Sequence, residues 1–136
     1  MSQSDAQFNE LLAQVIVRGN KMLSESNLIA PFGILLDSNQ SAEVIMAVDK
    51  SLPYAEMLDN LQESLKARVL AKSYLSGCIV YADYNNNQLV AFLENHNNYC
   101  LKALIPVKAE NGLCLSADEM MAEEGGIYIF PVKQTH

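Results

Sequence analysis

The segment Ala30–Asp49 constrains the fold more than any other stretch of this chain. It reads APFGILLD, SNQS and AEVIMAVD, two apolar runs that each end on an aspartate and flank four small polar residues. This pattern is typical of a β-hairpin. Strands that face water alternate between polar and apolar residues, and these two runs show little alternation. We therefore expect both faces of the hairpin to be covered.

Helical patterns flank the hairpin, and further strands follow. Apolar residues recur at helical spacing in two segments, Phe8–Leu23 and Tyr54–Val69. Apolar runs separated by turns rich in asparagine predict three more strands, over Gly77–Tyr84, Gln88–Glu94 and Tyr99–Val107. Consecutive strands joined by such short turns form an antiparallel meander.

The C-terminal part of the chain predicts one more helix and one more strand. Ser116 and Glu119 have the spacing of a capping box, which favours a short helix, and Ile127–Val132 is a candidate strand. The element order is then α-β-β-α-β-β-β-(α)-β in a single domain over residues 1–136. We expect an α+β fold whose single antiparallel sheet has about five to six strands, with the two main helices packed on one face.

The composition suggests that part of the apolar surface is hidden. Charged residues make up 18% of the chain, below the usual share of about 25%. If both helices cover one face of the hairpin, a partner protein or a second copy of the chain covers the other. The expected interface residues are Phe32, Ile34, Ile45 and Val48. Alternatively, the C-terminal segment Asn111–Val132 of the same chain covers that face.

The charge balance and the termini narrow the class of partner. The formal net charge is −7 and no stripe of Lys or Arg overrides it, so nucleic acid and anionic lipid are disfavoured. The first residues show no basic region followed by an apolar core, so we expect no signal peptide, and no apolar run approaches the ~20 residues of a membrane helix. Three cysteines without a pairing pattern argue against a disulfide framework. We expect a cytoplasmic protein that does not contact membranes.

One cluster of residues could carry chemistry. Glu94 and His96 lie two positions apart, which places them on the same face of a strand, and Asp83 precedes the preceding turn. A carboxylate beside an imidazole could form a weak divalent-metal or small-ligand site. The alternative is that these residues are solvated turn residues. No catalytic residue, cofactor or phosphate-binding loop is predicted from any motif.

Several short motifs resemble a family of small bacterial cytosolic proteins of unknown function. They are Pro31-Phe32-Gly33, Asp37, Leu93-Glu94, Ile105-Pro106, and the spaced set Asp118-Glu119, Glu124-Gly125 and Ile129-Phe130. That family usually has glycine in the turn after Asp37, where this chain has Ser-Asn-Gln-Ser, and histidine directly after the acidic residue, where this chain has Asn95. The resemblance implies a fold and a cellular setting, and no activity.

The element order also resembles the roadblock/longin fold, whose members commonly dimerise or act as regulatory platforms. From these observations we expect a non-catalytic protein-interaction or regulatory module, formed as a homodimer or with another protein. The alternative is a small-ligand-binding or enzymatic domain with its site near Asp83, Glu94 and His96. A flat apolar patch would favour the first, and a closed pocket with convergent polar groups the second.

Overall fold

A computed structural model describes residues 3–26, 29–47, 51–109 and 112–133. Within these residues the chain forms one antiparallel sheet and two helices, which confirms the predicted α+β class. The helices are α1 (Gln3–Ser26) and α2 (Tyr54–Ala71), and the strands are β1 (Phe32–Asp37), β2 (Ala42–Met46), β3 (Tyr74–Asp83), β4 (Gln88–Asn95), β5 (Cys100–Ala109), β6 (Leu113–Leu115) and β7 (Met121–Glu124). The strand order is β2-β1-β3-β4-β5-β6, and β7 also pairs with β5.

The predicted hairpin forms, and Asp37 builds its turn. The Asp37 Oδ1 atom accepts hydrogen bonds from the main-chain N–H groups of Asn39 at 2.8 Å and Ser41 at 3.0 Å. Gln40 adopts a positive φ of 60°, which closes the turn. The resulting register places Ile34 opposite Val44. A local carboxylate therefore fixes the pairing of β1 with β2.

The two helices cover opposite faces of the sheet, so the expectation that both pack on one face is wrong. Ile34 and Leu35 are neighbours on β1, and their side chains point to opposite faces. Ile34 belongs to the apolar cluster that contains Leu11 of α1, whereas Leu35 belongs to the cluster that contains Leu65 of α2. Since the hairpin is apolar on both faces, each helix covers one of them.

The residues expected at an intermolecular interface are covered from within the chain. Phe32 and Ile34 are fully buried in the α1 cluster, and Ile45 is buried in the α2 cluster. Val48 lies outside the described residues. Phe32, Ile34 and Ile45 therefore do not form an exposed surface, because the helices already remove them from water.

The C-terminal segment helps to cover the α2 face. Ile129 and Phe130 are buried there in one cluster with Leu35 and Ile79 of the sheet. Coverage by the same chain, which the sequence left as the alternative to a partner, is thus the arrangement observed at these residues.

The elements before that segment differ from the prediction. Ser116 Oγ and Glu119 Oε2 are hydrogen-bonded at 3.1 Å, but only a 3₁₀ turn over Ala117–Glu119 follows. The last strand is Met121–Glu124, and Ile127–Val132 is irregular rather than a strand. The short strand β6 also lacked a sequence signal. β6 and β7 both form by pairing with β5, and local sequence patterns do not reveal such long-range pairing.

Gly125 lets the chain leave β7 and pass close to β5. A Cβ atom at this position would lie 2.6 Å from the main-chain nitrogen of Leu101, closer than real side chains come to backbone. Glycine is therefore required for this close approach. The segment that follows reaches the α2 face and the end of β4.

Candidate functional site

The three residues predicted to form one site lie at two ends of the sheet. In the β3–β4 register, Gln88 pairs with Asp83 and Glu94 pairs with Gly77. Six residue steps on β4 separate Gln88 from Glu94, which corresponds to roughly 20 Å. Asp83 therefore cannot share a ligand with Glu94. Within the described ranges, no group of three or more His, Cys, Asp and Glu side chains could hold a metal ion.

Glu94 is fully buried, and its carboxylate is occupied by main chain. Its Oε2 atom accepts a hydrogen bond from the N–H of Tyr128 at 2.8 Å. Its Oε1 atom accepts two more, from Ile129 at 2.8 Å and from Phe130 at 2.7 Å. Three main-chain donors thus satisfy one buried carboxylate, which anchors the C-terminal segment to β4. The arrangement is structural and leaves no open side for a substrate.

The environment of Glu94 acts on its proton affinity in two directions. Burial is the larger effect and raises the pKa of Glu94 above its ordinary value, while the three main-chain donors act to lower it.

Cys78 lies on the same part of the sheet, fully buried, and burial raises the pKa of its thiol to about 12. Since the thiolate is the reactive form, Cys78 is an inert core residue.

His96 and its neighbour Asn95 belong to the turn that follows β4. The main-chain N–H of His96 donates to the carbonyl of Leu75 at 3.0 Å. Asn95 is buried, and its Oδ1 atom accepts hydrogen bonds from the N–H groups of Asn97 at 3.0 Å and Tyr99 at 3.1 Å. Asn95 therefore organises this turn, a role that no sequence motif indicates.

Asp83 lines a cavity with mostly apolar walls. The cavity is about 220 Å³ and lies between the C-terminal part of α1, the β3–β4 turn and β5. Its apolar walls include Leu23, Ile29, Ala82, Leu89, Val107 and Leu113. The Asp83 carboxylate accepts hydrogen bonds from the side-chain amides of Asn86 at 2.8 Å and Gln88 at 3.1 Å. The Asn86 hydrogen bond is the main cause that lowers the pKa of Asp83.

The hairpin also forms one edge of the sheet, and this edge is open. Among the described residues β2 pairs only with β1. Two main-chain hydrogen bonds fix which groups of β2 point toward β1. The Ala47 N–H donates to the Pro31 carbonyl at 3.3 Å, and the Asp37 N–H donates to the Ser41 carbonyl at 3.1 Å. Hydrogen-bonded positions alternate along an antiparallel strand, so residues 41, 43, 45 and 47 face β1.

The intervening residues of β2 direct their main-chain groups away from the sheet. These are Ala42, Val44 and Met46, each with one N–H and one carbonyl. Their side chains share the α1 face; Ala42 is exposed, Val44 is half-buried and Met46 is 36% exposed. The open edge therefore combines free main-chain pairing groups with a small apolar strip.

The charge on this edge is neutralised. Glu43 is the only ionisable residue of β2, and its carboxylate is bonded to the Arg68 guanidinium and the Tyr74 hydroxyl. The opposite edge is formed by β6 and β7, and β7 is exposed along its length and carries Glu124 beside Glu123, whose carboxylate lies 3.8 Å from the Lys102 ammonium. Charges on an edge strand oppose pairing with another chain. By this criterion the β7 edge is protected and the β2 edge is not.

Comparison of the chain with family models, with curated proteins and with solved structures finds no match. The two resemblances noted in the sequence therefore remain predictions. No helix of the described residues is long and apolar enough to cross a membrane.

Replacing Glu94 separates an anchoring role from a ligand-binding role. Glu94→Gln keeps the shape of the side chain but turns one acceptor oxygen into a donor amide, which leaves at least one main-chain N–H unpaired. We expect a loss of about 1–3 kcal/mol in the free energy of unfolding, measured by urea denaturation. The matched control is His96→Ala, which keeps the main-chain bond and should change stability by less than about 0.5 kcal/mol. Equal effects of the two variants would contradict the anchoring role.

The raised pKa of Glu94 also predicts how stability depends on pH. The ordinary value is 4.5, and burial raises the pKa in the folded chain. Between the two pKa values the folded state binds more protons than the unfolded state, so stability contributed by Glu94 falls as pH rises. The advantage of the wild type over Glu94→Gln should therefore shrink from pH 4.5 upward. A growing advantage in urea titrations would mean that the three N–H donors outweigh burial.

Proposed function

We propose that this protein is a non-catalytic protein-interaction module that binds through the open edge of β2. The observation that carries the proposal is the outward direction of the main-chain groups of Ala42, Val44 and Met46 on an end strand whose one carboxylate is neutralised. An extended segment of another chain can add to such an edge as a further strand. The main-chain bonds supply affinity, and the flanking side chains supply specificity.

The surface beside the edge suits an added strand. On the α2 side a depression of about 270 Å³ borders the end of β2. Its apolar lining residues are Met46, Ala47, Leu52, Met57 and Leu61. A strand paired with β2 would direct alternate side chains toward this depression. Apolar residues of the partner could then leave water as the edge is covered.

Site-specific photo-crosslinking tests the proposed surface. A benzophenone amino acid placed at Ala42 or Met46 should give one discrete covalent adduct in producing cells, because a partner strand would lie within reach. The same probe at Glu123, on the protected β7 edge, is the control and should give none. Adducts of equal yield at all three positions, or no adduct at the β2 positions, would contradict the proposal.

A second candidate function is the binding of a small amphipathic cation in the Asp83 cavity. The apolar walls would take a hydrocarbon body, and the Asp83 carboxylate at the rim would face a positive charge. The hydrogen bond from Asn86 lowers the pKa of Asp83, which favours the ionised carboxylate. This site uses Asp83 without Glu94 or His96.

Two probes of matched shape test this cavity. Benzylamine should bind more tightly than benzyl alcohol, by about three- to fivefold, because an ion pair near the surface contributes little. Chemical shifts of residues around the cavity, followed by NMR during titration, would report binding. Asp83→Asn should remove the preference for the amine and keep the weak binding of the alcohol. Absence of shift changes with either probe would exclude a ligand of this kind.

A further inference from the structure

We propose that the partner at this edge is a second copy of the same chain, paired antiparallel through β2 about a two-fold axis at Val44. This inference rests on the proposed function, since it names the partner of the same surface. It joins the two sheets into one continuous sheet across the dimer. This pairing uses only the outward N–H and carbonyl groups of Ala42, Val44 and Met46, which the free chain already exposes.

The hydrogen-bonding pattern of β2 is self-complementary. Val44 is the central residue of Ala42–Met46, and the outward-facing residues lie symmetrically about it. In an antiparallel pair about Val44, Ala42 of each chain lies opposite Met46 of the other, and the two Val44 residues face each other. Each of these pairs can exchange two main-chain hydrogen bonds, which gives about six bonds in total. A small side chain then faces a large one on the shared surface.

The number of main-chain bonds favours this register over its neighbours. An axis at Glu43 would align only two outward pairs within Ala42–Met46, about four bonds. An axis at Ile45 would align only two outward pairs within Ala42–Met46, about four bonds. With the axis at Val44, each Glu43 lies opposite Ile45 of the other chain and keeps its own Arg68.

The difference between the two edges of the sheet limits the assembly to two chains. Pairing of β2 with the β7 edge of another copy would leave a free edge at each end and could continue indefinitely. Glu124 on β7 opposes that contact in a chain whose net charge is already −7. Pairing of β2 with itself uses the same edge of both copies, so the assembly closes at two chains.

Two substitutions at Val44 form a matched test by analytical ultracentrifugation. Val44→Thr keeps the N–H and the β-branched shape, so the variant should remain a dimer with a dissociation constant within about tenfold of the wild type. Val44→Pro removes an N–H that points away from β1, so the hairpin keeps its internal bonds. This variant should raise the dissociation constant at least about 30-fold, because bonds at the axis are lost from both chains.

Each outcome decides between the two proposals. A wild type that is strictly monomeric at high micromolar concentration overturns self-pairing. If crosslinks at Ala42 then give an adduct whose mass differs from that of two copies, the β2 edge still binds a partner. If neither a dimer nor an adduct is found, both proposals fail. A folded Val44→Pro variant that dimerises like the wild type also overturns self-pairing at this edge.

A measurement on the unmodified chain covers the case in which Val44→Pro does not fold. Amide hydrogen exchange of Ala42, Val44 and Met46 should slow as protein concentration rises, because their N–H groups become paired in the dimer. Amides of β7 serve as the internal control and should exchange at a constant rate. Exchange at the β2 amides that is independent of concentration overturns the proposal.

Discussion

The covering of the α2 face depends on the interaction of the Glu94 carboxylate with three successive main-chain N–H groups. The segment that holds Ile129 and Phe130 is irregular, so strand pairing does not hold it there. Desolvating a carboxylate is costly, and each of the three donors offsets part of that cost. The bonding fixes both where the segment lies and how Ile129 and Phe130 enter the core.

Once both faces of the hairpin are covered, what remains available to a partner is an edge. α1 takes one face, and α2 with the C-terminal segment takes the other. The hairpin does need cover on both faces, and the chain itself supplies it rather than a partner at Phe32, Ile34 and Ile45. The surface that the structure leaves open is formed by main-chain groups, which hydrophobic patterning does not reveal. The hairpin remains the region of interest through β2 rather than through Phe32 or Ile34.

The sequence predicts the elements whose signals are local. Asp37 specifies its turn through bonds within four residues, and the asparagine-rich turns bound the strands of the meander. The face that each helix covers, the strands β6 and β7 and the role of Glu94 depend on contacts far apart in the chain. Glu94 is 34 residues from its nearest donor, Tyr128. The one available signal was a single glutamate at the end of the apolar run LVAFL, which is unusual unless its charge is satisfied.

The anchor at Glu94 has a consequence for how freely this chain can change over evolution. The carboxylate binds N–H groups, which every residue except proline possesses, so the identity of residues 128–130 is not constrained by these bonds. Tyr128 is 39% exposed and could be replaced by most residues without loss of its bond. The residue directly after the last donor is a proline, Pro131. The requirement on sequence falls on one glutamate and on the exclusion of proline from three positions, which leaves the exposed side chains of the segment open to variation.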